Sequence, residues 1–493
     1  MKLKLLGPPG TGKTTRLMEY LEKELREGTA PNRISFLTFT RAARIEALQR
    51  TGRNEKEFPF LKTIHAICYR QLAIGRDQIV RPENIREFGF RLGIKLTGNT
   101  LDPWIEEFDR GIDAPTRDDI LLQANHCGRH RKLHLRDALE GISTDVDYKY
   151  AAWFTKAYRA WKESNGMMDY TDLLTQYINH GKPLPIDVMF VDESQDLSSL
   201  QWDVVNILGS NAQRHYYAGD DDQAIFHWAG ADSTAFQDLV VDKVEVLSQS
   251  YRVSKAVYKA AMKVAHRIRK RLTKDYSPTD SIGEVTNAGF IGNIDLSSKA
   301  FILFRNHYRG STIAQALRDE NIPYIGRGSP LTDLNVRTAL YAWHQLVNKG
   351  EAPCDNVKQL ARFCDTDYLT GEAFSIIRER PSIKLAEYFI RIPKAVDWFR
   401  IMDKLPEKEA IASYVRKNGF VRTATPRVEV MSIHQSKGRE APTVFIDPEM
   451  SRQTWMSMVQ NPDDEHRVWY VALTRAKERV FFLMPDGPYT YRF

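Results

Sequence analysis

The first fifteen residues constrain the fold of this chain more than any other segment. A short apolar-rich segment, Lys2–Leu6, is followed by Gly-Pro-Pro-Gly-Thr-Gly-Lys-Thr, which runs from Gly7 to Thr14. Apolar residues then recur at helical spacing from Lys13 onward. A strand, a glycine-rich turn and a helix in this order predict a phosphate-binding loop, because the turn directs backbone N–H groups and the helix amino terminus towards an anion.

This loop supplies the candidate nucleotide-binding residues. We expect the Lys13 ammonium to reach the β- and γ-phosphates and the Thr14 hydroxyl to bind Mg²⁺. The alternative interpretation is a glycine-proline turn with an exposed lysine, which the flanking strand and helix disfavour. The predicted binding residues are Gly7, Pro8, Pro9, Gly10, Thr11, Gly12, Lys13, Thr14 and Thr15.

The first half of the chain has the pattern of an α/β fold with an insertion. The apolar run 34–39 indicates a buried strand, so the chain begins with a strand–helix–strand unit of a parallel sheet. Helical patterns dominate 76–164, which predicts a helical insertion. Strand signals return at 187–191 and 215–218.

The second half repeats this organisation. Strand signals occur at 300–304, 428–433 and 443–446, with a helical pattern near 312–320. The helical stretch 346–426 lies between them and is a second candidate insertion.

An acidic turn follows the strand at 187–191. A carboxylate at the carboxyl end of such a strand can complete the ligand shell of Mg²⁺, and Asp192 has this position. We expect the adjacent Glu193 to polarise the attacking water. A solvated cap is the alternative for an acidic turn alone, and the phosphate-binding loop favours the metal ligand.

Net charge, cysteine spacing and the length of apolar runs indicate which partners and which classes of protein are compatible with this sequence. With 70 Lys and Arg against 63 Asp and Glu, the net charge is +7, which suits a polyanionic partner. The four cysteines form no CxxC pair, so neither a disulfide scaffold nor a zinc ribbon is indicated. No apolar run is long enough to span a bilayer and no secretory signal is expected, so a reducing, cytosolic compartment is the default.

Several longer blocks identify a family. The chain resembles the UvrD/Rep/PcrA helicases of superfamily 1 over both α/β segments, with the blocks in the order of that family. The block Gly-Asp-Asp-Asp-Gln-Ala-Ile-Phe-His-Trp at 219–228 is the most specific. The other blocks are 38–43, 63–65, 249–252, 433–440 and 470–477.

The resemblance implies an α/β architecture of two RecA-like P-loop NTPase domains, each with a mainly helical insertion. The implied division assigns 1–75 and 165–248 to the first RecA-like domain, 76–164 to its insertion, 249–345 and 427–493 to the second RecA-like domain, and 346–426 to a reduced second insertion.

The resemblance also assigns nucleotide-site roles beyond the loop. Tyr251 matches a residue that stacks on adenine, and Glu440 one that reads the ribose. Arg252 and Arg475 match two arginines that approach the γ-phosphate from the second domain, and Gln223 matches a γ-phosphate sensor. A core tyrosine and a solvated carboxylate are the alternatives for Tyr251 and Glu440.

A DNA side is implied in the same way. Phe39 and Trp228 match residues that stack on bases, and Phe226 occupies a position where tyrosine is usual. Such stacking tolerates any sequence, as a motor that walks along DNA requires. The remaining positions near the implied DNA path are Thr63, His65 and His434; each histidine could equally be a satisfied core residue.

The implied function is that of a DNA helicase or translocase that uses ATP and Mg²⁺. Its substrates would be single-stranded DNA and junctions of single-stranded with duplex DNA, and the resemblance points to the 3′→5′ branch. The alternatives are a nucleotide-switched DNA-binding protein without directional movement and a P-loop kinase for small molecules.

Two basic stretches are open to other interpretations. The residues His126, His130 and His134 share a helical face, but Gly128 interrupts it and no zinc-finger spacing accompanies it, so a metal site is disfavoured. A basic surface towards phosphate is more plausible there, and a plain solvated face more plausible still. The basic run 266–271 could likewise lie near DNA, but a solvated face is expected, since charge runs usually face water.

Overall fold

The structure is a computed structural model, and it describes residues 1–38, 48, 52, 56–98, 116–140, 147–288 and 297–493. The chain forms two compact units. Unit 1 comprises 1–283, 452–474 and 493, and unit 2 comprises 284–451 and 475–492.

Unit 1 is built on a parallel sheet. Its strands are β1 (Lys2–Leu6), β2 (Ile34–Leu37), β3 (Phe60–Lys62), β4 (Val188–Val191), β5 (Arg214–Gly219) and β6 (Lys243–Val246). They lie in the order β3-β2-β4-β5-β1-β6, and each neighbouring pair is parallel. The carboxyl ends of β1, β4 and β5 therefore meet at one edge of the sheet. The predicted parallel sheet is confirmed.

Both faces of this sheet are covered, which explains why the central strand β4 is apolar throughout. On one face the rings of Phe36, Phe190 and Tyr216 stack in a row, and Leu17 of the first helix packs against them. Every residue of β2 and β4 is buried.

The helices of unit 1 flank the sheet or build its insertion. They are α1 (Lys13–Arg26), α2 (Ile64–Gln71), α3 (Pro82–Leu92), α4 (Arg117–Arg131), α5 (Leu135–Glu140), α6 (Tyr148–Ser164), α7 (Tyr170–His180), α8 (Ser199–Leu208), α9 (Ser233–Gln237), α10 (Lys255–Ala265), α18 (Arg452–Gln460) and α19 (Pro462–Leu473). The helical stretch predicted at 76–164 corresponds to α3–α6. Its separate core includes Phe88, Phe154 and Trp161.

Unit 2 has a second parallel sheet. Its strands are β7 (Glu284–Asn287), β8 (Ala300–Phe304), β9 (Tyr324–Ile325), β12 (Val428–Ser432), β13 (Ala441–Ile446) and β14 (Ala476–Phe482). The order is β7-β14-β13-β8-β12-β9, again with parallel neighbours. Two parallel α/β sheets agree with the predicted fold class.

The remaining elements of unit 2 are seven α-helices and a small pair of strands within the described residues, and most of them form a core of their own. The helices are α11 (His307–Asp319), α12 (Leu334–Lys349), α13 (Cys354–Phe363), α14 (Ala373–Glu379), α15 (Leu385–Tyr388), α16 (Trp398–Ile401) and α17 (Lys408–Ala424). The strands β10 (Glu351–Pro353) and β11 (Ser382–Lys384) form a small antiparallel pair. The second insertion is thus mainly helical, and its core includes Tyr388, Trp398 and Tyr414.

The compact units divide the chain differently from the predicted domains. The prediction assigns 249–283 and 452–474 to the second domain, whereas both segments belong to unit 1. The physical reason is local packing: α10 and α19 pack against each other, and Arg467 of α19 donates to the backbone oxygen of Asp221 at 3.0 Å. As a division into domains, the predicted boundaries stay a prediction.

Among the described residues, no helix combines the length and the apolar character needed to cross a bilayer.

Candidate functional site

The predicted phosphate-binding loop connects β1 to α1 at the carboxyl edge of the first sheet. Gly7 donates its N–H to the Gly219 oxygen at 3.1 Å, which ties the loop to the end of β5. Gly12 precedes the first turn of α1. The Lys13 ammonium donates to the Gly7 oxygen at 2.9 Å, so it lies over the loop. This arrangement agrees with the strand–loop–helix context predicted from the sequence.

The Thr14 hydroxyl and the Asp192 carboxylate meet, although 178 positions separate them in the chain. Thr14 Oγ1 donates to Asp192 Oδ2 at 2.8 Å. Burial of Asp192, together with the neighbouring Glu193 carboxylate, raises its pKa to about 6, against the opposing effects of Thr14 and Lys13. A hydroxyl and a buried carboxylate are hard oxygen ligands, so this pair fits Mg²⁺, which usually keeps water in its remaining positions.

Glu193 has a backbone conformation that few residues adopt. Its φ of 49° lies in the left-handed region, directly after β4. Its N–H donates to Asp192 Oδ1 at 2.9 Å, and its carboxylate accepts from Gln195 Nε2 at 2.6 Å. The carboxylate of the predicted base is therefore held by a side chain that sequence analysis did not assign to the site.

The acidic block after β5 forms a buried hydrogen-bonded turn. Gln223 Nε2 donates to Asp220 Oδ2 at 2.6 Å. Asp220 is fully buried, and its N–H donates to Gln195 Oε1 at 3.0 Å. The predicted phosphate sensor and the predicted base are thus connected through Asp220 and Gln195.

Sequence analysis missed the cations that accompany this block. The ammonium of Lys274, only 1% exposed, contacts Asp220 at 2.9 Å, Asp222 at 3.1 Å and also Asp221. Arg271 binds Asp222 with two nitrogens, one at 2.9 Å. Burial opposes the ionisation of Asp220, but Lys274 and Lys13 outweigh it and hold its pKa below the ordinary value.

Most of the run 266–271 is exposed, as expected, and of its basic side chains only that of Arg271 turns inward, to Asp222. Besides the Arg271 side chain, the backbone N–H groups of Arg269 and Lys270 donate to the Asp463 carboxylate at 3.0 to 3.1 Å. The only signal in the sequence was the excess of acidic residues at 220–222, which requires compensating cations when it is buried.

Tyr251 and Arg252 lie beside the phosphate-binding loop. The Tyr251 N–H donates to the Gly10 oxygen at 2.8 Å, and Ser250 Oγ donates to the Pro9 oxygen at 2.7 Å. Gly10 has φ of +72°, and a Cβ added there would lie 2.2 Å from Arg252 Cβ, so the close approach requires glycine. Tyr251 is 77% exposed, which excludes the alternative of a core tyrosine.

Phe226 and Trp228 lie in the turn that follows Gln223, and both side chains are half-buried. The adjacent His227 contacts Asp464 of α19 at 3.4 Å and the Ser233 hydroxyl at 3.1 Å. The two aromatic residues are therefore presented by an anchored turn that continues directly from the buried acidic block.

The remaining predicted DNA positions of unit 1 have local roles in α2. The Thr63 side chain accepts the Ala66 N–H at 3.3 Å and caps this helix. The His65 ring makes an edge contact with Tyr170, and burial lowers its pKa to about 4. Phe39 lies outside the described residues. DNA contact by these three residues stays a prediction.

The histidines of α4 do not form the solvated face that was considered most plausible. His130 is buried and its Nδ1 lies 2.9 Å from Ser198 Oγ, while His126 Nδ1 lies 2.9 Å from Thr171 Oγ1. Arg129 pairs with Asp169 at 3.1 Å. The solvated-face interpretation is wrong for these residues because tertiary packing buries this face of α4 against α7 and α8. It is correct for Arg131, Lys132 and His134, whose side chains are exposed. No group of three or more His, Cys, Asp or Glu within the described ranges is arranged to hold a metal ion.

Unit 2 carries the three other predicted residues. Arg475 is 1% exposed, and its guanidinium donates to the Arg439 oxygen at 3.3 Å. The Glu440 carboxylate pairs with the Lys477 ammonium at 2.6 Å, and both side chains are partly exposed. His434 is half-buried in the turn after β12. Their predicted roles towards nucleotide and DNA stay predictions.

Comparison with known proteins agrees with this geometry. A sequence profile of the UvrD/REP helicase N-terminal domain matches residues 1–243, and a profile of the UvrD-like helicase C-terminal domain matches residues 396–485.

Two similar proteins illustrate the extent of the match. The ATP-dependent DNA helicase PcrA of Staphylococcus epidermidis RP62A is 21% identical over an alignment of 602 positions, gaps included. The alignment covers 97% of this chain and 80% of the relative. The ATP-dependent DNA helicase PcrA of Staphylococcus aureus Mu50 is 24% identical over an alignment of 607 positions, with the same two shares. The chain therefore belongs to the UvrD/PcrA-like family of superfamily 1 helicases.

Proposed function

We propose that this protein is an ATP-dependent DNA helicase that moves 3′→5′ along single-stranded DNA and acts at junctions with duplex DNA. The observation that carries the proposal is the 2.8 Å contact between Thr14 and Asp192, which joins the phosphate-binding loop to the acidic turn. Both relatives described above bear the name ATP-dependent DNA helicase. The direction of movement rests on the resemblance of the blocks at 219–228 and 470–477 to the 3′→5′ branch.

The nucleotide half of the proposal assigns one task to each group. Lys13 and the backbone of Gly7–Gly12 bind the phosphates, and Tyr251 stacks on the base. Thr14 and Asp192 hold Mg²⁺, which supplies positive charge to the phosphate oxygens when bound. Glu193 orients the attacking water and accepts its proton.

Three further residues take the roles that the family resemblance gives them. Gln223 senses the γ-phosphate, and Arg252 and Arg475 stabilise the charge that develops on it. An arginine with this task contributes roughly 10³–10⁵-fold to the rate in related phosphoryl-transfer enzymes. Glu440 reads the ribose.

The DNA half of the proposal rests on Phe226 and Trp228. They follow Gln223 within five residues, so the groups that respond to nucleotide and those that stack on bases occupy one turn. Stacking on each base contributes roughly 1–3 kcal/mol and is independent of sequence. Phe39, Thr63, His65 and His434 are the other proposed DNA contacts.

A polarity assay tests the proposal directly. Single-stranded oligonucleotides carrying biotin and streptavidin at either end are incubated with the protein, ATP and Mg²⁺. We expect displacement from the 5′ end alone, and none with the Lys13→Ala variant. Displacement from the 3′ end alone would reverse the proposed direction, and displacement from neither end would favour a nucleotide-switched DNA-binding protein.

A second measurement separates the helicase from a P-loop kinase. In the Trp228→Ala variant we expect single-stranded DNA to stimulate ATP hydrolysis far less than in the wild type. A kinase for small molecules has no need of Trp228, so unchanged behaviour towards DNA in this variant would support the kinase.

A further inference from the structure

The Gln195 side chain joins two loops of the candidate active site. Its amide oxygen accepts the Asp220 N–H at 3.0 Å, and its amide nitrogen donates to Glu193 at 2.6 Å and to Asp196 at 3.0 Å. Gln195 is fully buried. Both ends of one amide are therefore used, one on the loop after β4 and one on the loop after β5.

The backbone of β5 leaves space for this amide. A Cβ added at Gly219 would lie 2.6 Å from Gln195 Oε1, so any larger residue there would displace the amide. The close approach shows that the bridge depends on a small residue in the neighbouring strand and not only on the reach of a long side chain.

Asp220, at the far end of the bridge, is fixed from a second direction. Its Oδ1 contacts the buried Lys274 ammonium at 2.9 Å, and its Oδ2 accepts from Gln223 at 2.6 Å. A buried carboxylate with both oxygens engaged has little freedom to move. The chain of contacts therefore runs from Lys274 through Asp220 to Gln223, and from Asp220 through Gln195 to Glu193.

We propose that Gln195 and Lys274 are positioning residues for ATP hydrolysis, which act through Asp220 to hold Glu193 and Gln223 in one rigid arrangement. The inference rests on the proposed function, because it concerns the group that orients water and the group that senses the γ-phosphate. Among the described residues, neither side chain forms a hydrogen bond or ion pair with the phosphate-binding loop, so each affects the hydrolytic step more than nucleotide binding. A displacement of about 1 Å in a catalytic group can cost about 10²-fold in rate.

The test compares Gln195→Met with a matched control, Gln201→Met. Gln201 is a buried glutamine in the same unit whose side chain accepts the Ser198 N–H at 2.9 Å in the cap of α8, and among the described residues it does not join the loops after β4 and β5. We measure kcat for ATP hydrolysis with saturating single-stranded DNA, the Kd of a fluorescent ATP analogue, and the midpoint of thermal unfolding. Gln195→Met is expected to lower kcat about 10²-fold with the nucleotide Kd within twofold. Gln201→Met is expected to lower the midpoint without this loss of kcat.

Two other substitutions keep the proposal testable if Gln195→Met does not fold. Gln195→Glu keeps an acceptor for the Asp220 N–H but directs a carboxylate at Glu193, and it should lower kcat to a similar extent. Lys274→Arg keeps the charge, and it should retain more activity than Lys274→Met.

The outcomes distinguish this inference from the proposed function. If the wild-type chain hydrolyses ATP and both Gln195 variants keep kcat within threefold, the inference is wrong while the proposed function stands. A loss of kcat in Gln201→Met as large as in Gln195→Met would likewise overturn it, because the effect would then be structural. If the wild-type chain did not hydrolyse ATP, both the inference and the proposed function would be wrong.

Discussion

The two parallel sheets each place a buried aspartate directly after a central strand, and the two aspartates differ in what faces them. Asp192 follows β4 in unit 1 and contacts the Thr14 hydroxyl, with Glu193 as its neighbour. Asp447 follows β13 in unit 2 and contacts the Arg309 guanidinium at 2.6 Å. Burial raises the pKa of both carboxyls. Glu193 adds to this effect at Asp192, whereas Arg309 opposes it at Asp447.

This difference distinguishes Asp192, a carboxylate that can bind a metal ion, from Asp447, a carboxylate that pairs with an arginine of the protein. Arg309 also contacts Glu449 at 3.2 Å and Asp486 at 2.9 Å, so one guanidinium within unit 2 is shared by three carboxylates, of which Asp447 is one. Asp192 has no ion-pair partner within 4.0 Å in the described part of the chain and lies beside a second carboxylate. Asp192 is therefore better suited to an added cation than Asp447, which already contacts a guanidinium, and this is why the proposed Mg²⁺ is assigned to the first position and not to the second.

The largest expected effect is on turnover. Replacing Asp192 by Asn should lower kcat for ATP hydrolysis by about 10²–10³-fold, because a charged group near the transferred phosphate is lost. The same change should leave the free energy of unfolding equal or higher, since it removes an uncompensated buried charge. Steady-state ATP hydrolysis and urea unfolding measure the two quantities. Strong destabilisation by Asp192→Asn would contradict the comparison.

The next effect is on stability. Arg309→Met should lower the free energy of unfolding of unit 2 by about 3 kcal/mol, because it leaves buried carboxylates unpaired. The double variant Arg309→Met with Asp447→Leu should recover much of this loss, because both members of the pair become apolar. Urea unfolding of the two variants measures the difference. A single variant as stable as the wild type would show that the pair does not compensate Asp447.

The smallest expected effect is on the pH dependence of stability, and it concerns a buried base, His130, instead of a buried carboxylate. Burial, with nearby cationic groups, holds the pKa of His130 well below its ordinary value, so the folded chain binds this proton less readily than the unfolded chain. Stability is therefore lost as the pH falls through about 6.5. Between pH 8 and pH 5.5, His130→Gln should lose about 1 kcal/mol less than the wild type. Equal losses in urea unfolding at the two pH values would show that His130 remains accessible to protons.

Much of the fold could be predicted because its signals are local. β1 and the start of α1 lie where the sequence placed them, and β4 and β5 lie within one or two residues of the predicted strands. Apolar runs and a glycine-rich turn specify such elements without reference to distant residues. The contact between Thr14 and Asp192 could also be expected, since the carboxyl ends of parallel strands share one edge of a sheet.

The charged network could not be predicted, because the partner of a buried charge is decided by tertiary packing. Lys274 is 54 residues from Asp220 in a segment without a regular pattern, and Arg467 lies on a helix near the carboxyl end. The same limit explains why the interpretation of the basic stretch at α4 was wrong for Arg129 and His130, which face inward, while Lys132 is exposed as expected.

The position of Tyr251 has a practical consequence. Its backbone is fixed to the Gly10 oxygen while its ring is 77% exposed, so an anchored phenol stands at the rim of the phosphate-binding loop. Such a ring is open to hydroxyl-radical oxidation, and mass spectrometry can quantify the product at this single residue. A nucleotide whose base covers the ring would shield it, which makes Tyr251 a built-in footprinting reporter that needs no label.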